Sequence, residues 1–157
     1  MAGPRIGAQV PDFSLPASGS GAAPWRLRDA AGDKLVIYFY PKDMTSGCTR
    51  ESQDFRDLHA AFRKAGVRIV GVSRDSVASH EKFTAKEQLP FPLLSDADEK
   101  ACTRFDVIKE KTLYGRKYLG IERSTFLLDA AGVLRREWRK VKVPGHAEEV
   151  LEAAKSV

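Results

Sequence analysis

The apolar residues fall into short blocks separated by polar turns. The strongest block, residues 34–40, is apolar throughout after Lys34 and rich in β-branched and aromatic side chains. Such a run predicts a central strand buried on both faces. Pro41 ends it, and a polar, glycine-containing turn follows over residues 42–47. From about Cys48 to Ala65 the spacing becomes helical, with Phe55, Leu58, His59 and Phe62 along one side and Gly66 as the stop. Residues 67–73 predict the next strand. Ser76 offers an N-cap for a helix to about Gln88, with Phe83 and Leu89 as core candidates. Residues 91–95 read as a short strand with Pro92 at its start or on an edge. A helix opening at Asp96 or Asp98 then runs through about Phe105.

The remaining segments are weaker. Residues 12–15 and 25–27 suggest two short strands around a small, Gly- and Ser-rich loop at 17–24. Residues 107–120 show little periodicity and read as a long, Lys-rich loop. Residues 124–129 predict a strand, 130–132 a turn, and 133–141 its hairpin partner. Pro144-Gly145-His146 opens a final helix with Val150, Leu151 and Ala154 on its apolar side. This order predicts an α/β fold, with a mixed central β-sheet flanked by helices and an N-terminal β-hairpin extension. A thioredoxin-like fold has this order, though periodicity alone leaves other α/β folds open. The whole chain, 1–157, is expected to form one domain.

Composition narrows the function. Hydrophobic residues make up 43% and charged residues 30%, as in ordinary globular proteins. No stretch nears the roughly 20 apolar residues that span a bilayer, and no apolar region follows Arg5, so a cytoplasmic protein without a secretory signal is expected. The net charge of +5 raises the question of nucleic acid. The densest basic patch, at Arg135, Arg136, Arg139, Lys140 and Lys142, splits between the two faces of a strand, and no nucleic-acid-binding motif accompanies it. The expected reading is a solvated basic face. His59, His80 and His146 are scattered, each in a polar, helix-like context, so no metal site is expected. Trp25 and Trp138 read as packing residues.

Two cysteines, Cys48 and Cys102, are too few for a disulfide scaffold. Cys48 stands where a buried strand hands over to a long helix. Unpaired amides and the positive end of the helix dipole stabilise a thiolate at such a join. Thr45, three residues earlier, places a hydroxyl in the turn, where it can accept and donate. Gly47 permits close backbone approach, and Pro41 fixes the strand exit and covers the sulfur. A single reactive cysteine is the chemistry to look for.

The pattern Pro41-x-x-x-Thr45-x-x-Cys48-x-x-Glu51 resembles the active-site signature of the peroxiredoxins. The fuller run of residues 38–43, followed by Gly47-Cys48-Thr49, resembles the PrxQ or bacterioferritin-comigratory subfamily. Further resemblances lie at 8–15, 71–76, 91–96 and 120–129, in the family's order. The resemblance implies a thioredoxin-like fold and a thiol peroxidase acting on hydrogen peroxide and organic hydroperoxides. It implies that Cys48 is the peroxidatic cysteine and is oxidised to a sulfenic acid. Thr45 would bind the peroxide, donating to its departing oxygen; Arg123 would hold the thiolate and the developing charge; Pro41 would shield the pocket. Glu51 would orient the arginine. No cofactor is implied, and a monomer is expected.

The sequence departs from the family in one respect. PrxQ members carry a resolving cysteine either five residues after the peroxidatic one or on the following helix; here Gln53 and Thr84 occupy those places. Cys102, in a helical segment with Phe105 and Val107, reads first as a buried core thiol and second as a candidate resolving cysteine. A one-cysteine mechanism is therefore expected, with an external thiol such as thioredoxin, glutaredoxin or glutathione as reductant. The alternatives are a Cys102-resolved peroxidase and a redox sensor on the same fold.

Overall fold

The structure, a computed structural model, describes residues 3–19 and 23–157. The apolar run predicted to be the central strand is β3 (Lys34–Phe39), and no residue from Leu35 to Phe39 is more than 1% exposed. Ahead of it, β1 (Ser14–Leu15) and β2 (Trp25–Arg26) pair antiparallel as the expected N-terminal hairpin, and a 3-10 turn (Leu27–Ala30) leads into the sheet. Of the loop expected at 17–24, residues 20–22 lie outside the described residues. Its start is sewn to the sheet edge, where Ser18 N–H donates to the Leu93 carbonyl and Ser18 Oγ accepts from Leu93 N–H.

Beyond β3 come α1 (Ser46–Asp57), α2 (His59–Lys64), β4 (Val67–Ser73), α3 (Val77–Glu87), β5 (Leu93–Ser95) and α4 (Lys100–Arg104). The one helix expected from Cys48 to Ala65 is divided by a bend at Leu58 (φ −97°, ψ 2°). Ser76 caps α3 as expected, its side chain accepting from Ser79 N–H. The chain closes with β6 (Ile108–Leu113), β7 (Arg116–Ile121), β8 (Ser124–Leu128), β9 (Leu134–Trp138) and α5 (His146–Lys155). The main sheet has the order β5-β4-β3-β8-β9, with β3, β4 and β5 parallel and β8 and β9 antiparallel.

The loop expected at 107–120 is instead the β6–β7 hairpin, closed by Tyr114-Gly115 with φ of 51° and 78°. The ribbon stands off the body, and most of its side chains are exposed or half-buried. Neither face had to be apolar, so the alternation that betrays a half-buried strand is missing.

Side chains alternate across β3 and divide the interior into two cores. Leu35, Ile37 and Phe39 pack with Phe105, Phe126 and Cys102. Val36, Tyr38 and Tyr40 pack with Phe55, Phe62, Phe83 and Cys48. The two thiols thus lie on opposite faces of one sheet. No helix among the described residues is long and apolar enough to cross a membrane.

Candidate active site

Tyr38 seats the helix that carries Cys48. Its ring stacks on Phe55 with centroids 4.8 Å apart, and its hydroxyl lies 2.8 Å from Ser52 Oγ, so two turns of α1 are held to the sheet. Gly71, opposite Tyr38 in β4, makes the room: a Cβ there would come within 2.8 Å of Tyr38 Cζ and of Leu93 Cδ2.

Between β3 and α1 the chain turns through Pro41, Lys42, Asp43 and Met44, the last at φ 63°. Asp43 anchors this turn. Its carboxylate accepts from Tyr40 Oη at 2.6 Å, from Ser79 Oγ at 2.8 Å and from His80 Nδ1 at 2.7 Å, and its backbone N–H donates to Asp75 Oδ2. Burial opposes the charge of Asp43, but the bonds from His80 and Tyr40 outweigh it and hold the carboxyl below its ordinary range. Thr45 is the N-cap residue of α1 in extended conformation, yet its side chain makes no cap. Its Oγ1 donates to the Lys42 carbonyl at 2.9 Å, so what remains for a ligand is an acceptor, where a donor was foreseen.

Cys48 is the third residue of α1 and 1% exposed. Glu51 follows one turn later on the same face, also 1% exposed. Arg123, between β7 and β8, reaches both: Nη1 pairs with Glu51 Oε1 at 2.7 Å and Nη2 lies 3.3 Å from Cys48 Sγ. Gly47 accommodates this approach, since a Cβ there would sit 3.2 Å from Arg123 Nη2. Burial pushes the Glu51 carboxyl up to about 7 against the pull of Arg123, and Glu51 Oε2 is buried without a hydrogen-bond partner. Burial disfavours the Arg123 charge, but Glu51 and Cys48 more than compensate and raise its pKa. The result is a sequestered sulfur at a helix start, beside a guanidinium that is paired with Glu51 and can donate to the sulfur or to an atom bound to it.

Cys48, Glu51 and Arg123 thus converge, with Gly47 against the guanidinium, while Pro41 and Thr45 belong to the turn that leads into α1. Cys102 does not join them. It is fully buried on α4, where burial and the neighbouring Asp96 push its thiol far up. His80 and His146 are buried and satisfied locally: His80 serves Asp43, and His146 Nε2 lies 2.8 Å from Thr125 Oγ1. Asp43 stood within a recognised run of sequence but carried no assigned role, and nothing in the sequence links it to His80.

The AhpC/TSA family model matches residues 6–137. Peroxiredoxin Bcp of Xanthomonas campestris pv. campestris is 59% identical over 144 residues, covering 92% of this chain and 90% of that one. Among solved structures, a Xanthomonas campestris peroxiredoxin Q superposes with a TM-score of 0.86 at 57% identity, covering 92% of this chain and 90% of that one. A cysteine-to-serine mutant of Xylella fastidiosa PrxQ superposes with a TM-score of 0.92 at 44% identity, covering 99% and 98%. The chain therefore belongs to the AhpC/TSA family and, within it, to the Bcp/PrxQ peroxiredoxins.

Proposed function

We propose that this peroxiredoxin, a thiol-dependent hydroperoxide reductase, works through Cys48 alone, with an external thiol completing each turnover. The observation that carries the reading is Arg123, whose guanidinium joins the Cys48 sulfur to the buried Glu51 carboxylate. In the first step the Cys48 thiolate attacks one oxygen of the hydroperoxide. An S–O bond forms, the O–O bond breaks, and the distal oxygen leaves as water or an alcohol once it takes up a proton. Sulfur is oxidised to sulfenic acid and the peroxide is reduced. Arg123 stabilises the negative charge that passes from sulfur to the leaving oxygen. Thr45 Oγ1, its own proton given to Lys42, accepts from the peroxide O–H and so orients the O–O bond. Pro41 and Gly47 shape the pocket, and Glu51 keeps the arginine in place. In the second step an external thiolate attacks the sulfenic sulfur, releasing water and leaving a mixed disulfide; a second thiol then restores Cys48.

Cys102 is an unsuitable resolving partner. It lies across the sheet from Cys48, and its raised pKa leaves it protonated, whereas the attacking group must be a thiolate. Gln53 and Thr84 are engaged otherwise, Gln53 with Glu87 at 2.8 Å and Thr84 with Ser18 at 3.4 Å. The test is steady-state consumption of hydrogen peroxide and cumene hydroperoxide with dithiothreitol. Turnover is expected in the wild type and none in Cys48→Ser. Stoichiometric oxidation without turnover would make the protein a sensor, and activity surviving in Cys48→Ser would remove that sulfur from the chemistry.

A further inference from the structure

A one-cysteine cycle requires a foreign thiol to reach a sulfur that is only 1% exposed. A thiol carried by a protein must therefore rest on the surface around Cys48. The base of the β6–β7 hairpin adjoins that surface, and the ribbon extends outward from it. Four of the six exposed large hydrophobic side chains among the described residues lie on it: Leu113, Tyr114, Tyr118 and Leu119; a fifth, Met44, lies in the turn before Cys48. The hairpin is tied to the site at its base, where Lys111 Nζ donates to the Ile121 carbonyl, two residues before Arg123. Lys111 is close enough for the charges of Arg123 and Cys48 to act on its ammonium.

The register sorts the two faces. Directly opposed residues of an antiparallel pair share a face, and the pairs are Lys109 with Gly120, Lys111 with Tyr118, and Leu113 with Arg116. That face, which carries Lys111 toward the site, holds three cations and two exposed apolar side chains and no acid. Asp106 meets the charge of Lys109 at 3.1 Å, which leaves Lys111 and Arg116. The hairpin's one acid, Glu110, lies on the other face with Thr112, Lys117 and Leu119. Two copies of the chain joined through the cationic face would set Lys111 and Arg116 against their own kind. A small peroxide needs none of this area.

We infer that the face of the β6–β7 hairpin bearing Lys111, Leu113, Arg116 and Tyr118 docks the reducing partner, a protein thiol whose reactive cysteine sits on an acidic, apolar-centred surface. The inference rests on the one-cysteine reading above. Docked there, the partner's thiolate attacks the Cys48 sulfenic sulfur, forming an S–S bond and expelling the oxygen as water. A second thiol of the partner then displaces Cys48 and carries away the disulfide.

The experiment uses the full chain with a thioredoxin of net negative charge, its reductase and NADPH, at saturating peroxide, with dithiothreitol as a parallel donor. The double variant Leu113→Ser/Arg116→Glu is expected to raise KM for thioredoxin roughly tenfold, because reversing a charge at an interface slows association. Arg116→Glu alone gives a smaller rise and serves if the double variant misfolds. Lys117→Glu, on the opposite face, is expected to change KM less than about twofold. All three should match the wild type with dithiothreitol, and wild-type kcat/KM for thioredoxin should fall as salt is added. An unchanged KM in the double variant, an equal rise in Lys117→Glu, or no turnover with thioredoxin while dithiothreitol works would each overturn the inference. So would a rise confined to KM for cumene hydroperoxide, which would give the face to the peroxide, or a wild-type dimer in sedimentation that the double variant dissociates. Failure of the wild type with dithiothreitol strikes instead at the one-cysteine peroxidase reading itself.

Discussion

Nδ1 of His80 lies 2.7 Å from Asp43 Oδ2, and both side chains are buried. On its other side the ring meets the Leu94 carbonyl, with Nε2 at 2.9 Å. The ring thus bridges the Asp43 carboxylate, held ionised, and the β5 backbone. The pair pins the Pro41–Thr45 turn to α3. Asp43→Asn leaves the ring facing an amide in place of a carboxylate. Losing the charged acceptor of a buried hydrogen bond costs about 2 kcal/mol, readable as a lower urea midpoint at unchanged m-value. Cys48 oxidation should slow as well, since Thr45 hangs from the same turn. Full stability and full rate together would show that the pair does not hold the turn.

Arg123→Ala removes the donor from the sulfur and leaves Glu51 buried without its cation. The rate of Cys48 oxidation by peroxide, followed by stopped flow, should fall about 10²- to 10³-fold, as when a preset donor is removed from a developing oxyanion. Glu51→Gln should lower the rate less, because the guanidinium still reaches Sγ although its orientation is looser. The combined variant should be less impaired in stability than the sum of the two, since the buried carboxylate that suffers from Arg123→Ala is gone. Additive stability losses would mean that Glu51 and Arg123 act independently.

Glu51 and His146 give stability opposite dependences on pH. Burial raises Glu51 from 4.5 to about 7, so its contribution is fully present below pH 4.5 and is lost as pH rises to about 7. Burial lowers His146 from 6.5 to about 4, so its contribution is present above pH 6.5 and is lost as pH falls to about 4. Each amounts to about 3 kcal/mol across its window, and between pH 4.5 and 6.5 they oppose. Urea denaturation across this range should show a shallow wild-type slope. In Glu51→Gln stability should climb with pH, and in His146→Gln it should decline with pH. Parallel slopes in all three proteins would contradict both shifts.

The parts of the fold that the sequence makes legible are those where burial leaves a mark on composition. The β3 run announces a strand covered on both sides, and Gly66 and Ser76 announce a helix end and a helix start. The hairpin at β6–β7 leaves no such mark, because a ribbon standing in solvent need not alternate. The site divides in the same way. Cys48 and Thr45 are legible by their place at a strand-to-helix turn, and Glu51 by its place in the resembled signature. Arg123 is legible only by resemblance, since its approach to Cys48 depends on how β8 pairs with β3. The Asp43–His80 pair spans 37 positions and rests on the packing of α3, which no local pattern encodes.

Cys102 offers the clearest separation of packing from chemistry. It fills the core beside Phe105 and Phe126, on the face of the sheet away from Cys48. Cys102→Ala should lower stability by about 1 kcal/mol through the small cavity it leaves. Cys102→Ser should cost no more than that, since its hydroxyl can donate to the neighbouring Asp96 carboxylate. Neither should change peroxide turnover with dithiothreitol or thioredoxin. Peroxide-treated wild type, digested without reduction and mapped by mass, should yield sulfenic acid at Cys48 and no Cys48–Cys102 peptide. That crosslink within one chain would require α1 and α4 to unfold far enough to bring their Cα atoms within about 7 Å around a sheet edge. Its appearance, together with loss of turnover in Cys102→Ala, would replace the external thiol with an internal one.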